Sequence, residues 1–147
     1  MMALSMLPIT MVTAGGAALI NVWLAFRIGQ VRRQSGVMLG DGGDARLTAR
    51  MRAQANFVES APFILILIGL IELGEGPSLW LWIVSTAFLI ARVAHPFGMD
   101  GVRWCRTIGA AVTLLILLGL GLYAVLTPWT QGSLAQAPST VVGPPRG

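Results

Sequence analysis

The sequence predicts an all-α integral membrane protein, a single four-helix bundle with up-down-up-down topology. Three observations predict it. The 147 residues are 55% hydrophobic and only 11% charged, where a soluble domain carries about 25% charged residues. The apolar residues gather in four long runs, each able to cross a hydrocarbon core of roughly 30 Å once flanks and tilt are counted. The runs are too continuous for barrel strands, and in lipid only helices and closed barrels satisfy their own backbones.

The first run covers residues 3–26. Its AGGAA stretch offers small residues for signal cleavage, but nothing basic precedes Met11 and the run continues to Phe26, so it reads as a retained span. Asn21 within it is expected to hydrogen-bond another helix. The second run covers 52–73, and the third, 78–94, is the shortest, with Trp80 and Trp82 as interface anchors at its start. The fourth covers 108–126. Small residues at 14–18, at Gly109-Ala110-Ala111 and at Gly119 and Gly121 let membrane helices approach closely, within a chain or between chains. From Pro128 onward the chain is rich in Pro, Gly, Ser and Thr and is expected to end the last helix and fray. The expected organisation is a membrane domain over 1–128 and a flexible tail over 129–147.

All 10 basic residues are arginine. They cluster between apolar runs, where they act as topology determinants, so the basic balance does not indicate a nucleic-acid partner. Loop one, read as 27–50, carries Arg27, Arg32, Arg33, Arg46 and Arg50 against Asp41 and Asp44. The third loop region carries Arg92, Arg103 and Arg106 against Asp100, while ELGEGP (72–77) holds two glutamates and no base. Positive-inside bias therefore places loops one and three in the cytoplasm and both termini outside. Cys105 is alone, which excludes an intrachain disulfide and a cysteine-based metal site. No metal is expected. Asp41 and Asp44 beside Gly42-Gly43 lack the ligand count of a calcium loop and read as a turn followed by a helix N-cap.

The stretch RMRAQANFVES (50–60) carries polar groups into the second run. At about 100° per residue, Asn56 lies about 40° from Arg52, and Glu59 about 20° to the other side, so the three share one stripe. Gln54 points almost the opposite way. The stripe rises roughly 10 Å from Arg52 to Glu59, and an unpaired carboxylate at that depth costs several kcal/mol. Arg92, Arg103 and Arg106 are the candidate partners from other helices. Pro62 follows Glu59 and is expected to bend the helix beside the stripe. Two readings suit the stripe: an ion network joining helices, or a cytoplasm-facing pocket for a small zwitterionic or anionic ligand. Guanidinium forks would hold carboxylates there, while Glu59 and Asn56 would meet an ammonium and amides.

RMRAQANFVESAPF resembles the second-helix signature of the MAPEG family, the membrane-associated proteins in eicosanoid and glutathione metabolism: Arg, three residues, Asn, two residues, Glu. ARVAHPFGMDGVRWCR (91–106) resembles the family's second signature, with the Arg-Val-Ala-His run of its prostaglandin E synthase branch, and GDGG (40–43) is similar to the bacterial branch. The resemblance covers about residues 1–128. It implies a homotrimer in the bacterial inner membrane, surrounded by lipid. Glutathione, the co-substrate, would lie in a U shape between neighbouring subunits, and the second substrate would be a lipophilic electrophile. Carried over by motif position, Arg52, Asn56 and Glu59 would contact glutathione, with Glu59 facing the γ-glutamyl amine, and Gln54 would help from the adjoining subunit. Arg92 and His95 match the binding residues at the end of the third helix. Arg103 or Arg106 matches the arginine that activates the thiol, since a guanidinium beside a thiol favours thiolate.

The chain departs from the family pattern at several tyrosines. Ser60 stands where the family often has tyrosine, Phe97 and Met99 stand where tyrosines surround the third-helix end, and the single tyrosine, Tyr123, lies far along the fourth run. These losses set a second reading beside a glutathione transferase or peroxidase: a non-catalytic member that keeps the fold and a ligand pocket. A transporter or channel subunit fits less well, because the polar groups crowd one membrane side. His95 beside Pro96 reads as a helix-terminus residue rather than a base, and Cys105 lacks the base a nucleophile needs.

Overall fold

The computed structural model describes residues 7–135, with side-chain surroundings through residue 130. Four helices account for nearly all of it: α1 Pro8–Ser35, α2 Ala45–Glu75, α3 Leu79–Met99 and α4 Arg103–Ala135. All four are long and apolar enough to cross a membrane. The four expected spans are present and each is extended. The start of the first run, residues 3–6, lies outside the described residues.

Local chemistry explains the ends. Pro8 opens α1, where its missing N–H and fixed φ suit the first turn. Gly36 closes it in the left-handed conformation, and Arg32 and Arg33 occupy the negative end of the helix dipole. Asp44 caps α2, its carboxylate accepting the N–H groups of Arg46 at 2.8 Å and Leu47 at 3.2 Å, as the sequence suggested. These caps correct the reading of 27–50 as a loop. Only residues 36–44 are non-helical there, and Arg27, Arg32, Arg33, Arg46 and Arg50 are helical residues. The second loop likewise shrinks, because α2 includes Glu72 and Glu75. Pro62, Pro96 and Pro128 all lie inside helices. A membrane helix tolerates the loss of one backbone donor, so α4 runs through Pro128 to Ala135 instead of ending there. The rest of the expected tail lies outside the described residues.

Consecutive helices pack side by side through short turns. The α2–α3 pair forms the middle of the bundle, with α1 resting on α2 and α3, and α4 on α3 and α2. Among the described residues α1 and α4 do not touch. The main core includes Leu24, Phe57, Ile64, Ile68, Phe88 and Leu120, all buried. A second cluster of Ile28, Val31 and Leu47 seals the α1–α2 end. Outward positions such as Leu19, Phe63, Leu70, Ile90, Leu115 and Leu118 are apolar and exposed, the pattern of helices in contact with lipid tails. Gly16 lets α1 approach α3, since a Cβ there would meet Leu89 Cδ1 at 2.8 Å. Gly109 does the same for α4, where a Cβ would meet the Ala91 carbonyl at 2.8 Å. Gly15, Gly119 and Gly121 face open space among the described residues.

Candidate functional site

The polar stripe on α2 survives in three dimensions. Arg52, Asn56 and Glu59 are exposed, while Ala53 and Phe57, between them in sequence, turn inward and are buried. The chain therefore displays all three polar groups on one face that its own core does not cover.

Asn56 is the hinge between this face and the interior. Its Oδ1 accepts from both terminal nitrogens of Arg92, at 3.0 and 3.1 Å. Arg92 Nη1 also donates to Thr113 Oγ1 at 3.3 Å, and the guanidinium lies 5.4 Å from the Phe57 ring centroid. One side chain thus joins α2, α3 and α4. Arg92 is only 2% exposed, and its partners are an amide, a hydroxyl and an aromatic ring rather than a carboxylate. Arginine has only donors, so Asn56 must present its oxygen to it. The Asn56 amide N–H groups make no hydrogen bond among the described residues.

The ion pair expected between Glu59 and Arg92, Arg103 or Arg106 is not formed. Arg92 takes Asn56 instead, because the two lie in reach across the α2–α3 contact, and among the described residues Glu59 has no cation within 4.0 Å. Arg103 and Arg106 stand in the first turn of α4, both exposed. His95, one turn beyond Arg92, is 5% exposed and packs against α4, where a Cβ on Gly109 would meet its own Cβ at 3.0 Å. Its Nδ1 is buried without a hydrogen-bond partner. Gln54 points away from the stripe, as its angular position required, and donates to Asn21 Oδ1 on α1 at 3.2 Å. Asn21 thereby makes its expected interhelical bond.

Two polar constellations escaped the sequence reading. In the first, Arg27 of α1 is 7% exposed and ion-pairs with Asp100 in the α3–α4 turn. Its guanidinium lies 4.9 Å from the Trp23 ring centroid and 5.8 Å from that of Phe97. Arg50 approaches the same carboxylate, Nε to Oδ1 at 3.6 Å, a charge contact rather than a hydrogen bond. The missed signal was periodicity: Arg27 lies on the buried face of Ile20, Leu24, Ile28 and Val31, once α1 is carried past Phe26. In the second, Glu72 is 2% exposed and accepts from Ile9 N at 2.9 Å, Thr10 N at 2.7 Å and Thr10 Oγ1 at 2.6 Å. It caps the start of α1, which has no side-chain cap of its own. Ile64, Ile68 and Ile71 mark the buried face it belongs to.

A shallow cavity of about 290 Å³ opens beside Arg52, bordered by Asp41, Thr48, Met51 and Ala55. Asp41 there is held below the usual carboxylate range by the Gly43 N–H and then by the Thr48 hydroxyl. A larger groove of about 650 Å³ runs between α3 and α4, lined by Trp80, Ile83, Ala87, Val112, Leu115 and Tyr123 among others. Its walls are nearly all apolar, and it is separate from the polar face.

A family model described as the MAPEG family matches residues 10–126. The chain is similar to the protein named "Inner membrane protein YecN" of Escherichia coli, at 27% identity over 115 residues, which covers 77% of this chain and 88% of that protein. The protein of the same name from a second Escherichia coli strain matches with the same identity and coverage.

Proposed function

The chain belongs to the MAPEG family, and from that premise we propose that it is an inner-membrane, glutathione-binding protein that presents glutathione as a thiolate to lipophilic electrophiles, as a transferase or peroxidase. The observation that carries this reading is the open α2 face. Arg52, Asn56 and Glu59 are displayed together, and Asn56 is held by buried Arg92 with its amide donors turned free. A tripeptide with two carboxylates, an ammonium and two amides matches those groups: Arg52 for a carboxylate, Glu59 for the ammonium, Asn56 for an amide oxygen. The face is uncovered in a single protomer, which supports a site completed by a neighbour, and we take the assembly to be a homotrimer. The arginine-rich helix ends that flank the α1–α2 and α3–α4 turns face the cytoplasm.

In this mechanism glutathione supplies the nucleophile and the protein orients and ionises it. Arg103 or Arg106, from the first turn of α4, stabilises the thiolate. The sulfur then attacks an electrophile arriving through the bilayer. Arg92 acts from behind Asn56 and does not touch the ligand. Gln54, tied to Asn21, and His95, packed against α4, support helix contacts in the protomer. The absence of tyrosine phenols at Ser60, Phe97 and Met99 favours a second reading, in which the ligand site persists without turnover.

Glutathione at millimolar concentration should raise the thermal midpoint of the detergent-purified protein, and Arg52→Ala or Glu59→Ala should abolish the shift. No shift in the wild type would remove the glutathione site. A shift without an ultraviolet thiolate signal or turnover would select the non-catalytic reading.

A further inference from the structure

The Arg27–Asp100–Arg50 constellation lies outside the α2 face, yet it grips the turn from which α4 begins. We propose that Asp100 is a positioning residue: held from α1 by Arg27 and from α2 by Arg50, it fixes the α3–α4 turn and with it the placement of Arg103 and Arg106. This rests on the glutathione reading for its consequence, though not for its geometry.

The geometry is a short mechanical chain. Arg27 is buried with its guanidinium packed against the neighbouring rings of Trp23 and Phe97, 4.9 and 5.8 Å from their centroids, which limits its freedom to follow a moving partner. Arg50 is tied to the same place by a second arm, Nη1 donating to the Arg27 carbonyl at 2.8 Å. Both cations therefore meet Asp100 from a fixed base. Asp100 in turn closes α3, its backbone N–H donating to the Pro96 carbonyl at 3.2 Å. Phe97, which flanks Arg27 with its ring, accepts the Val102 N–H at 3.4 Å through its carbonyl. Gly101 sits at φ 134°, a conformation that glycine adopts without strain. Gly98 has no Cβ, and the backbone of Arg106 occupies the space one would need. The first turn of α4 is thus seated directly on the end of α3, and the end of α3 is moored by Asp100.

Neutralising Asp100 would do more than delete one tether. Arg27 would remain buried beside Arg50 with no counter-ion, and the two like charges would separate. The relief available is displacement of the turn, which carries Arg103 and Arg106 with it. A guanidinium stabilises a thiolate only at close range, so a shift at the start of α4 is read out at the sulfur. Binding through Arg52, Asn56 and Glu59 on α2 is largely spared.

The test compares wild type, Asp100→Asn, Asp100→Glu and Arg50→Gln in the full-length, membrane-extracted protein. Without glutathione, amide hydrogen exchange over residues 97–107 should quicken by about tenfold in Asp100→Asn, with residues 12–24 unchanged. With glutathione, the pH midpoint of thiolate absorbance should rise by about one unit while saturable binding persists. Asp100→Glu should recover part of both effects. Unchanged exchange in Asp100→Asn overturns the proposal, and so does faster exchange with an unmoved thiolate midpoint. If Asp100→Asn does not fold, Arg50→Gln carries the same comparison with a smaller expected shift. Should the wild type bind glutathione without forming thiolate, the thiolate mechanism fails, and the exchange data alone decide whether Asp100 moors the turn.

Discussion

Asn56 and Arg92 set the terms of the site at the level of single residues. A buried arginine with no carboxylate partner depends on each acceptor it has, and Asn56 Oδ1 serves two of its N–H groups at once. Asn56→Ala should therefore destabilise the protein by about 3 kcal/mol, the scale for removing a partner from a buried, hydrogen-bonded charge. Thermal or denaturant unfolding in detergent measures it. Arg92→Met, which removes the charge together with its need for partners, should cost less than Asn56→Ala. The reverse order would show that Arg92 does not depend on Asn56. The angular reading of 52, 56 and 59 correctly placed the three groups on one face, because helical periodicity is a local property. It misassigned the partner of Glu59, because which arginine reaches which acceptor depends on how α3 lies against α2.

At the scale of elements, each end of the α1–α2 pair is held by a carboxylate. At one end, Glu72 supplies the cap that Leu7 does not provide. Hydrogen bonds to a charged acceptor are worth about 1.5–3 kcal/mol, so Glu72→Ala should lower stability by an amount in that range and speed exchange at Ile9 and Thr10. At the other end, Asp41 organises the turn before α2 by accepting from Gly43 and Thr48. Its pKa is lowered in the fold, so its contribution is present above the ordinary aspartate value of about 3.9 and is lost as the pH falls through the depressed folded value. Asp41→Asn should accordingly loosen residues 41–48 at neutral pH and match the wild type in strong acid, as followed by amide exchange. The turn at 40–44 and the Asp44 cap were legible in the sequence because Asp and Gly act on their immediate neighbours. The Glu72 cap was not, since its partners lie more than sixty residues away.

At the scale of the molecule, the bundle displays one polar face, two arginines at the start of α4 and several glycines directed at open space, all on a single chain. A homotrimer would cover the α2 face, and native mass spectrometry of the detergent-extracted protein should report three copies. A monomer that still binds glutathione would place the whole site within one chain. Orientation is tested with Cys105, the sole cysteine, which is partly exposed at the start of α4. A membrane-impermeant maleimide should label it in inverted vesicles and leave it unlabelled in right-side-out ones. The opposite pattern would invert the topology drawn from the arginines.

The sequence by itself determined the membrane class, the four helices and the shared face of Arg52, Asn56 and Glu59. Those properties follow from hydrophobic run length and from a 3.6-residue repeat, which each segment carries alone. Only the tertiary structure decided that Arg92 belongs to Asn56, that Glu72 caps a distant helix and that Asp100 gathers Arg27 and Arg50. In an apolar interior every buried charge must find a partner, and which partner it finds is fixed by the packing of helices against one another, a relation that no single segment encodes.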